Sequence, residues 1–133
     1  MIVDSSAIVA ILKREPDWRT LSALLNEAKS ASISAANYFE SAIVVDGWRD
    51  PVLSQRLDEI VEEFTIRIEP VTESQAKIAR RAYRDYGRGS GHSANLNFGD
   101  CFSYALAREK REPILFKGDD FVHTDLRAAV KQP

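Results

Sequence analysis

The chain has 133 residues, enough for one hydrophobic core and short for two. Lys and Arg total 18 against 20 Asp and Glu, a formal net charge of −2, which excludes a uniformly basic nucleic-acid coat. The single cysteine excludes an internal disulfide and a multi-thiolate zinc or iron–sulfur site, and no apolar run approaches the roughly 18 residues that a membrane span needs. The charge is uneven. Residues 1–76 carry 7 basic and 13 acidic side chains, whereas residues 77–133 carry 11 and 7. A near-neutral chain with a basic arm can still attract a polyanion locally. Met1-Ile2-Val3-Asp4 lacks the basic flank and long apolar stretch of a secretory leader, so the cytoplasm is the expected compartment.

Short apolar runs alternate with helical patterns along the chain. Ile2-Val3 reads as a strand that stops at Asp4-Ser5-Ser6, and a helix is expected from Ala7 to Leu12. Asp17 is placed to cap a second helix carrying Leu21, Leu24, Leu25 and Ala28. Ala31-Ser32-Ile33 reads as a second strand, followed by a helix through Ala36–Val45. Asp50-Pro51 restarts the chain as a helix, with a capping acid ahead of proline at the first helical position. Ile66 and Ile68 alternate with Arg67 as in a strand.

Thr72 with Gln75 predicts a capping box that opens a helix ending at Gly87. Arg88 through Asn97 is polar and glycine-rich and reads as a loop. A further helix is expected to open at Asp100, then a strand over Pro113–Phe116 and a turn at Lys117-Gly118-Asp119-Asp120. The tail from Asp125 to Val130 is expected to form a short helix. The sum predicts one α/β domain over residues 1–133 with a parallel sheet. Ligands on such sheets bind at the carboxyl ends of the strands.

Several acids stand out against this pattern. Asp4 follows the first strand, and Asp119 and Asp120 follow the last. Glu40 interrupts an apolar helix stretch, and Asp100 lies between Phe98-Gly99 and Cys101-Phe102. Asp4 and Asp100 also read as helix caps, Asp119 or Asp120 as an Asx-turn, and Glu40 as a solvated side chain. If these acids share a crevice, they raise one another's pKa and call for a cation. Hard oxygen donors suit Mg²⁺ or Mn²⁺, and no histidine or cysteine cluster favours zinc. Such an ion suits phosphodiester hydrolysis.

Ile2-Val3-Asp4-Ser5-Ser6-Ala7, Tyr38-Phe39-Glu40, the run Leu96 to Ala107 with Phe98-Gly99-Asp100 at its centre, and Leu115 to Phe121 resemble the PIN-domain ribonucleases. The similarity is greater to the VapC toxins of bacterial toxin–antitoxin pairs. It extends over essentially the whole chain, and its force lies in four motifs in one order and spacing.

The resemblance implies a three-layer α/β/α sandwich with a four- or five-stranded parallel sheet. It implies an endoribonuclease that holds one or two Mg²⁺ or Mn²⁺ ions and cuts tRNA, rRNA or mRNA. Asp4, Glu40 and Asp100 match the family's acids. Asp120 matches a fourth, with Asp119 as the alternative. Ser6 matches a small hydroxyl residue that orients Asp4 or touches substrate. A cognate antitoxin and a homodimer are also implied, with no membrane partner.

Arg80, Arg84 and Arg88 recur every four residues and with Arg81 are candidate RNA contacts, the alternatives being a solvated helix face or antitoxin docking; Lys117 is a candidate to meet a phosphate or steady the charge of the acids, or is an ordinary turn lysine. Leu21, Leu24, Leu25 and Ile43 are candidates to line an antitoxin groove or to pack internally. A catalytically silent RNA- or antitoxin-binding module of the same fold is the competing reading.

Overall fold

The computed structural model describes residues 1–129. The four strands are β1 (Ile2–Val3), β2 (Ala31–Ser34), β3 (Ile66–Glu69) and β4 (Ile114–Leu115). Six helices join them: α1 (Ser5–Leu12), α2 (Trp18–Glu27), α3 (Ala35–Gly47), α4 (Pro51–Glu63), α5 (Glu73–Tyr86) and α6 (Phe98–Lys110). The sheet is wholly parallel in the order β3-β2-β1-β4. This is the expected α/β/α sandwich with a four-stranded sheet.

The strand residues explain the layers. Successive side chains on a strand point to opposite faces. On β1, Val3 enters a core with Ile8, Leu21, Ile33, Val45 and Leu57, contributed by β2 and the first four helices. Its neighbour Ile2 enters a second core with Leu96, Tyr104, Leu106 and Phe121. On β4, Leu115 and Ile114 divide between the two cores in the same way. Both faces of these strands are therefore apolar, as parallel sheets require.

Chain order runs outward from β1 to β2 to β3, and β4 then joins the other side of β1. The order reverses between β1 and β4. A crevice forms at such a switch point, beyond the carboxyl ends of the strands. Asp4 leaves β1 there, and the Lys117–Asp120 turn leaves β4 on the same side.

The helix ends depart from expectation in instructive ways. Helix α1 begins at Ser5 rather than Ala7, because Asp4 caps it through Ser6 N. Helix α6 begins at Phe98 rather than Asp100, because Asn97 is the cap and Asp100 is its capping-box partner. Asp17 precedes α2 as expected but makes no side-chain cap; its Oδ1 accepts from Lys117 Nζ instead. Thr72 caps α5 through Gln75 N, while the Gln75 amide turns away to Glu109.

The tail is corrected: residues 125–129 form no helix, and Val130 lies outside the described residues. Strand β4 is the outermost strand, with unpaired backbone groups on its free side. The tail satisfies them, with Ile114 N donating to Arg127 O at 2.9 Å and Ala129 N to Ile114 O at 2.8 Å.

Candidate active site

Asp4 is built in by the end of β1. The chain turns directly into α1, so the carboxylate of its cap residue is both buried and fixed. Asp4 is 2% exposed. Its Oδ2 accepts from Ser6 N at 3.0 Å, and its Oδ1 accepts from the Ser103 hydroxyl of α6. Burial pushes its pKa up. The Ser103 and Ser6 bonds oppose that rise, and the charge of Glu40 adds to it.

Glu40 reaches the same place from α3. Its Oε1 accepts from the Ser5 hydroxyl and, at 3.3 Å, from Asn37 Nδ2. Its carboxylate lies directly over Gly99, where a Cβ would overlap Oε2. The glycine of the Phe98-Gly99-Asp100 motif is there for room, since its backbone is ordinary helix.

Asp100 occupies the first turn of α6. Its Oδ2 accepts from Asn97 N at 3.0 Å, and Asp100 N donates to Asn97 Oδ1 at 2.9 Å. Capping acid and crevice acid are therefore the same residue, as they are for Asp4. Burial pushes the Asp100 pKa up to about 7 against the Asn97 hydrogen bond, with the charges of Asp4 and Asp120 adding to the rise. Asp120 stands within hydrogen-bonding reach of Asp100. Asp119 and Asp120 are both exposed in the turn after β4, and the Asp119 carbonyl accepts from Val122 N.

The four acids thus come to one crevice from residues 4, 40, 100 and 120. Among the described residues no basic side chain forms an ion pair with any of them. Also among these residues, no three carboxylate, imidazole or thiol groups form a ready-made metal cage. The acids are instead held by internal hydrogen bonds: Asp4 to Ser6 and Ser103, Glu40 to Ser5 and Asn37, and Asp100 to Asn97. The donor chemistry, all hard oxygen and not paired with cationic side chains among the described residues, fits a divalent ion of the Mg²⁺ or Mn²⁺ type.

Ser5, Asn37, Gly99 and Ser103 are the site residues that sequence reasoning passed over. A signal existed for two of them. Asn37 precedes Glu40 by three residues and Ser103 follows Asp100 by three, the spacing that shares one helix face.

The expected substrate contacts are dispersed. Ser6 orients Asp4 through its backbone N–H, while its hydroxyl accepts from Lys117 N at 3.0 Å. The Lys117 ammonium turns to Asp17 at 2.9 Å, with Glu15 at 3.9 Å. Arg84 is paired with Asp85 at 2.9 Å. Arg80 borders a cleft of about 240 Å³ with Tyr83, Phe98 and Phe102. Arg81 borders a separate one with Tyr86, Tyr104 and Arg108. Arg88 lies in the loop beyond α5.

Two apolar surfaces are open. A groove of about 510 Å³ between α1 and α4 is lined by Ile11, Leu12, Trp18, Val52, Leu53 and Phe64, with the charged Lys13, Arg14, Arg56 and Glu63 also bordering it. Leu21 and Leu25 are buried in the core and Leu24 packs against it, the internal packing expected as the alternative for these leucines, and none of the three reaches the groove. Ile43 is instead exposed on α3, one turn from Phe39, and Phe98 is 78% exposed at the start of α6.

Comparison with known proteins agrees with this architecture. The PIN domain family model matches residues 1–126. The chain is 56% identical over 130 residues to the VapC ribonuclease Mb0625 of Mycobacterium bovis and to ribonuclease VapC28 of Mycobacterium tuberculosis, covering 98% of either chain in both pairs. Among solved structures it superposes on Mycobacterium tuberculosis VapC20, described as a sarcin–ricin loop cleaving toxin, with a TM-score of 0.75 at 17% identity, covering 98% of both chains. A toxin–antitoxin complex from Klebsiella pneumoniae gives 0.71 at 15% identity, covering 98% of this chain and 95% of that one. These two likenesses speak to fold. On the family match and the high-identity relatives, the chain belongs to the PIN-domain family and, within it, to the VapC ribonucleases.

Proposed function

We propose that this protein is a Mg²⁺- or Mn²⁺-dependent endoribonuclease and the toxin of a toxin–antitoxin pair, acting in the cytoplasm. The observation that carries the reading is the cluster of Asp4, Glu40, Asp100 and Asp120, gathered at the switch point of the sheet with no cationic side chain paired to them among the described residues. Four acids so placed repel phosphate, so a site meant only to bind RNA gains nothing from them.

Asp4, Glu40, Asp100 and Asp120 would hold one or two ions, with Asp120 preferred to Asp119 because it stands against Asp100. Bound there, the ion supplies a water of lowered pKa and takes up charge on the phosphoryl oxygen. The chain's own residues prepare that position. Ser6 and Ser103 fix the two oxygens of Asp4, Ser5 and Asn37 fix Glu40, and Asn97 fixes Asp100. Neither histidine joins the acids: His92 accepts from Ala94 N and packs edge-on against Tyr86, and His123 is exposed. Hydrolysis at these acids, with no histidine to form a cyclic phosphate, would leave a 5′-phosphate.

Arg80, Arg84 and Arg88 would meet RNA phosphates along and beyond α5, and Ser6 and Lys117 those at the mouth of the crevice. The last role requires the Lys117 ammonium to exchange Asp17 for a phosphate. Substrate is proposed to be tRNA, rRNA or mRNA. The groove between α1 and α4, which mixes apolar side chains with Lys13, Arg14 and Arg56 against the one acid Glu63, suits an amphipathic acidic segment of a cognate antitoxin. The exposed Phe39, Ile43 and Phe98 suit a homodimer contact.

The test is incubation of purified protein with cellular RNA in Mg²⁺ or Mn²⁺, mapping the ends produced, beside Asp4→Asn. New 5′-phosphate ends from the parent alone support the reading. Absence of cutting by either protein, with RNA or antitoxin binding retained, favours the silent binding module.

A further inference from the structure

We propose that Asn37 and Ser103 are positioning residues that set the separation of the Asp4 and Glu40 carboxylates for a divalent ion. The inference rests on the metal-dependent reading above. Both side chains are fully buried, at 0% exposure. They meet across the contact between α3 and α6, with Ser103 Oγ 2.9 Å from Asn37 Oδ1. Each also touches one acid. The Ser103 hydroxyl lies between Asp4 Oδ1 and Asn37 Oδ1 and gives its single proton to one of them at a time, while Asn37 Nδ2 donates to Glu40 Oε1 at 3.3 Å. The result is a continuous side-chain path, Asp4–Ser103–Asn37–Glu40.

The path has one orientation. The second N–H of Asn37 donates to Gly99 O at 2.9 Å. Turning the amide over would set Oδ1 against the Gly99 carbonyl and the Glu40 carboxylate, two acceptors with no proton to share. The Asn37 carbonyl must then face Ser103. The bond to Gly99 also ties the amide to the glycine whose missing side chain makes room for Glu40. A buried amide needs partners, but backbone groups alone would satisfy it. Here its partners are a hydroxyl on one acid and the carboxylate of another. Groups that orient metal ligands in this way are typically worth about 10- to 100-fold in metal affinity.

Titration of the full chain with Mn²⁺ by calorimetry or electron paramagnetic resonance tests this. The variants are Ser103→Ala, Asn37→Ala and Asn37→Ser, each checked in EDTA by circular dichroism and thermal melting. Folded Ser103→Ala is expected to bind Mn²⁺ at least about 10-fold more weakly than wild type, and so is whichever Asn37 variant folds. A role confined to packing would lower the melting temperature and leave the Mn²⁺ affinity of the folded protein unmoved. Folded Ser103→Ala binding within about two-fold of wild type, below the span for such groups, overturns the proposal and leaves the metal reading standing. No Mn²⁺ binding by wild type overturns the metal reading, and this inference with it.

Discussion

The Glu40 carboxylate rests on the backbone of Gly99, in the space that any other residue's Cβ would fill. The contact joins α3 to α6 and sets one acid beside the helix that carries another, Asp100. Gly99 therefore does for Glu40 what a hydrogen bond does for Asp4: it decides where the carboxylate goes.

Gly99→Ala is the direct probe. At an open helical position alanine would stabilise by about 1 kcal/mol relative to glycine. Here the new methyl overlaps a carboxylate, and overpacking a filled site costs about 1–3 kcal/mol. The expected outcome is a lower melting temperature together with loss of RNA cleavage, because Glu40 must move. A raised melting temperature would show that α3 and α6 part easily and that the contact does not position Glu40.

Asp4→Asn separates the two duties of Asp4. Asparagine caps helices as well as aspartate, so α1 should keep its start. The buried site also loses a charge that burial disfavours. Stability in EDTA should hold or rise at pH 8, while cleavage in Mg²⁺ falls by more than the roughly 100-fold expected for a group that only orients a ligand. Thermal melts beside a fluorogenic RNA assay check both halves.

Asp100 predicts a pH dependence of stability. Its pKa is about 7 in the folded protein, against roughly 3.9 for aspartate in an unfolded chain. Between those values the folded state holds a proton that unfolding releases. Raising the pH therefore removes stability across the interval from about 4 to 7, and the loss persists above it. In EDTA the melting temperature should fall over this window. Asp100→Asn should flatten the fall, and saturating Mg²⁺ should offset it by favouring the ionised form. A melting curve that rises through the window in wild type would contradict the environment described for Asp100.

What the sequence made legible was local. Asp4 is readable because a strand end and a helix start meet within three residues, and Asp100 because a capping position follows a polar loop. The partners of these acids were hidden for the opposite reason. Ser103 and Asn37 lie 66 residues apart, and only the packing of α3 on α6 brings them together. The tail was misread because Asp125 to Val130 has helix-compatible residues, while the unsatisfied outer edge of β4 is a tertiary demand that no local pattern shows. Lys117 was placed at the right turn, but its ammonium answers to Asp17 and Glu15, partners from distant sequence.

Arg84→Ala tests the basic arm. Arg84 is exposed and paired with Asp85, so its removal also leaves that carboxylate unopposed. If Arg84 meets a phosphate, RNA affinity should drop and the slope of log affinity against log salt should shrink by about 0.7, the value for one contact to a single strand. Binding measured from low to high salt, with Asp4→Asn as the background to suppress cleavage as predicted above, reads both. An unchanged slope would assign Arg84 to the solvated face of α5.

The exposed apolar residues make the last prediction. Phe98 is 78% exposed, Phe39 65% and Ile43 58%, far more open than large side chains need to be on an isolated domain. Phe39 and Phe98 each immediately precede a member of the Glu40–Gly99 contact, so a partner covering them would sit at the edge of the acid crevice. A second copy of the chain is the occupant that the family resemblance implies, and a twofold contact would bring the same residues from both copies together. Phe98→Asp should then shift the protein from dimer to monomer in light scattering at micromolar concentration. The dimer's concentration-dependent stability would be lost with it, whereas at a solvated Phe98 the same substitution would leave both mass and melting temperature unchanged.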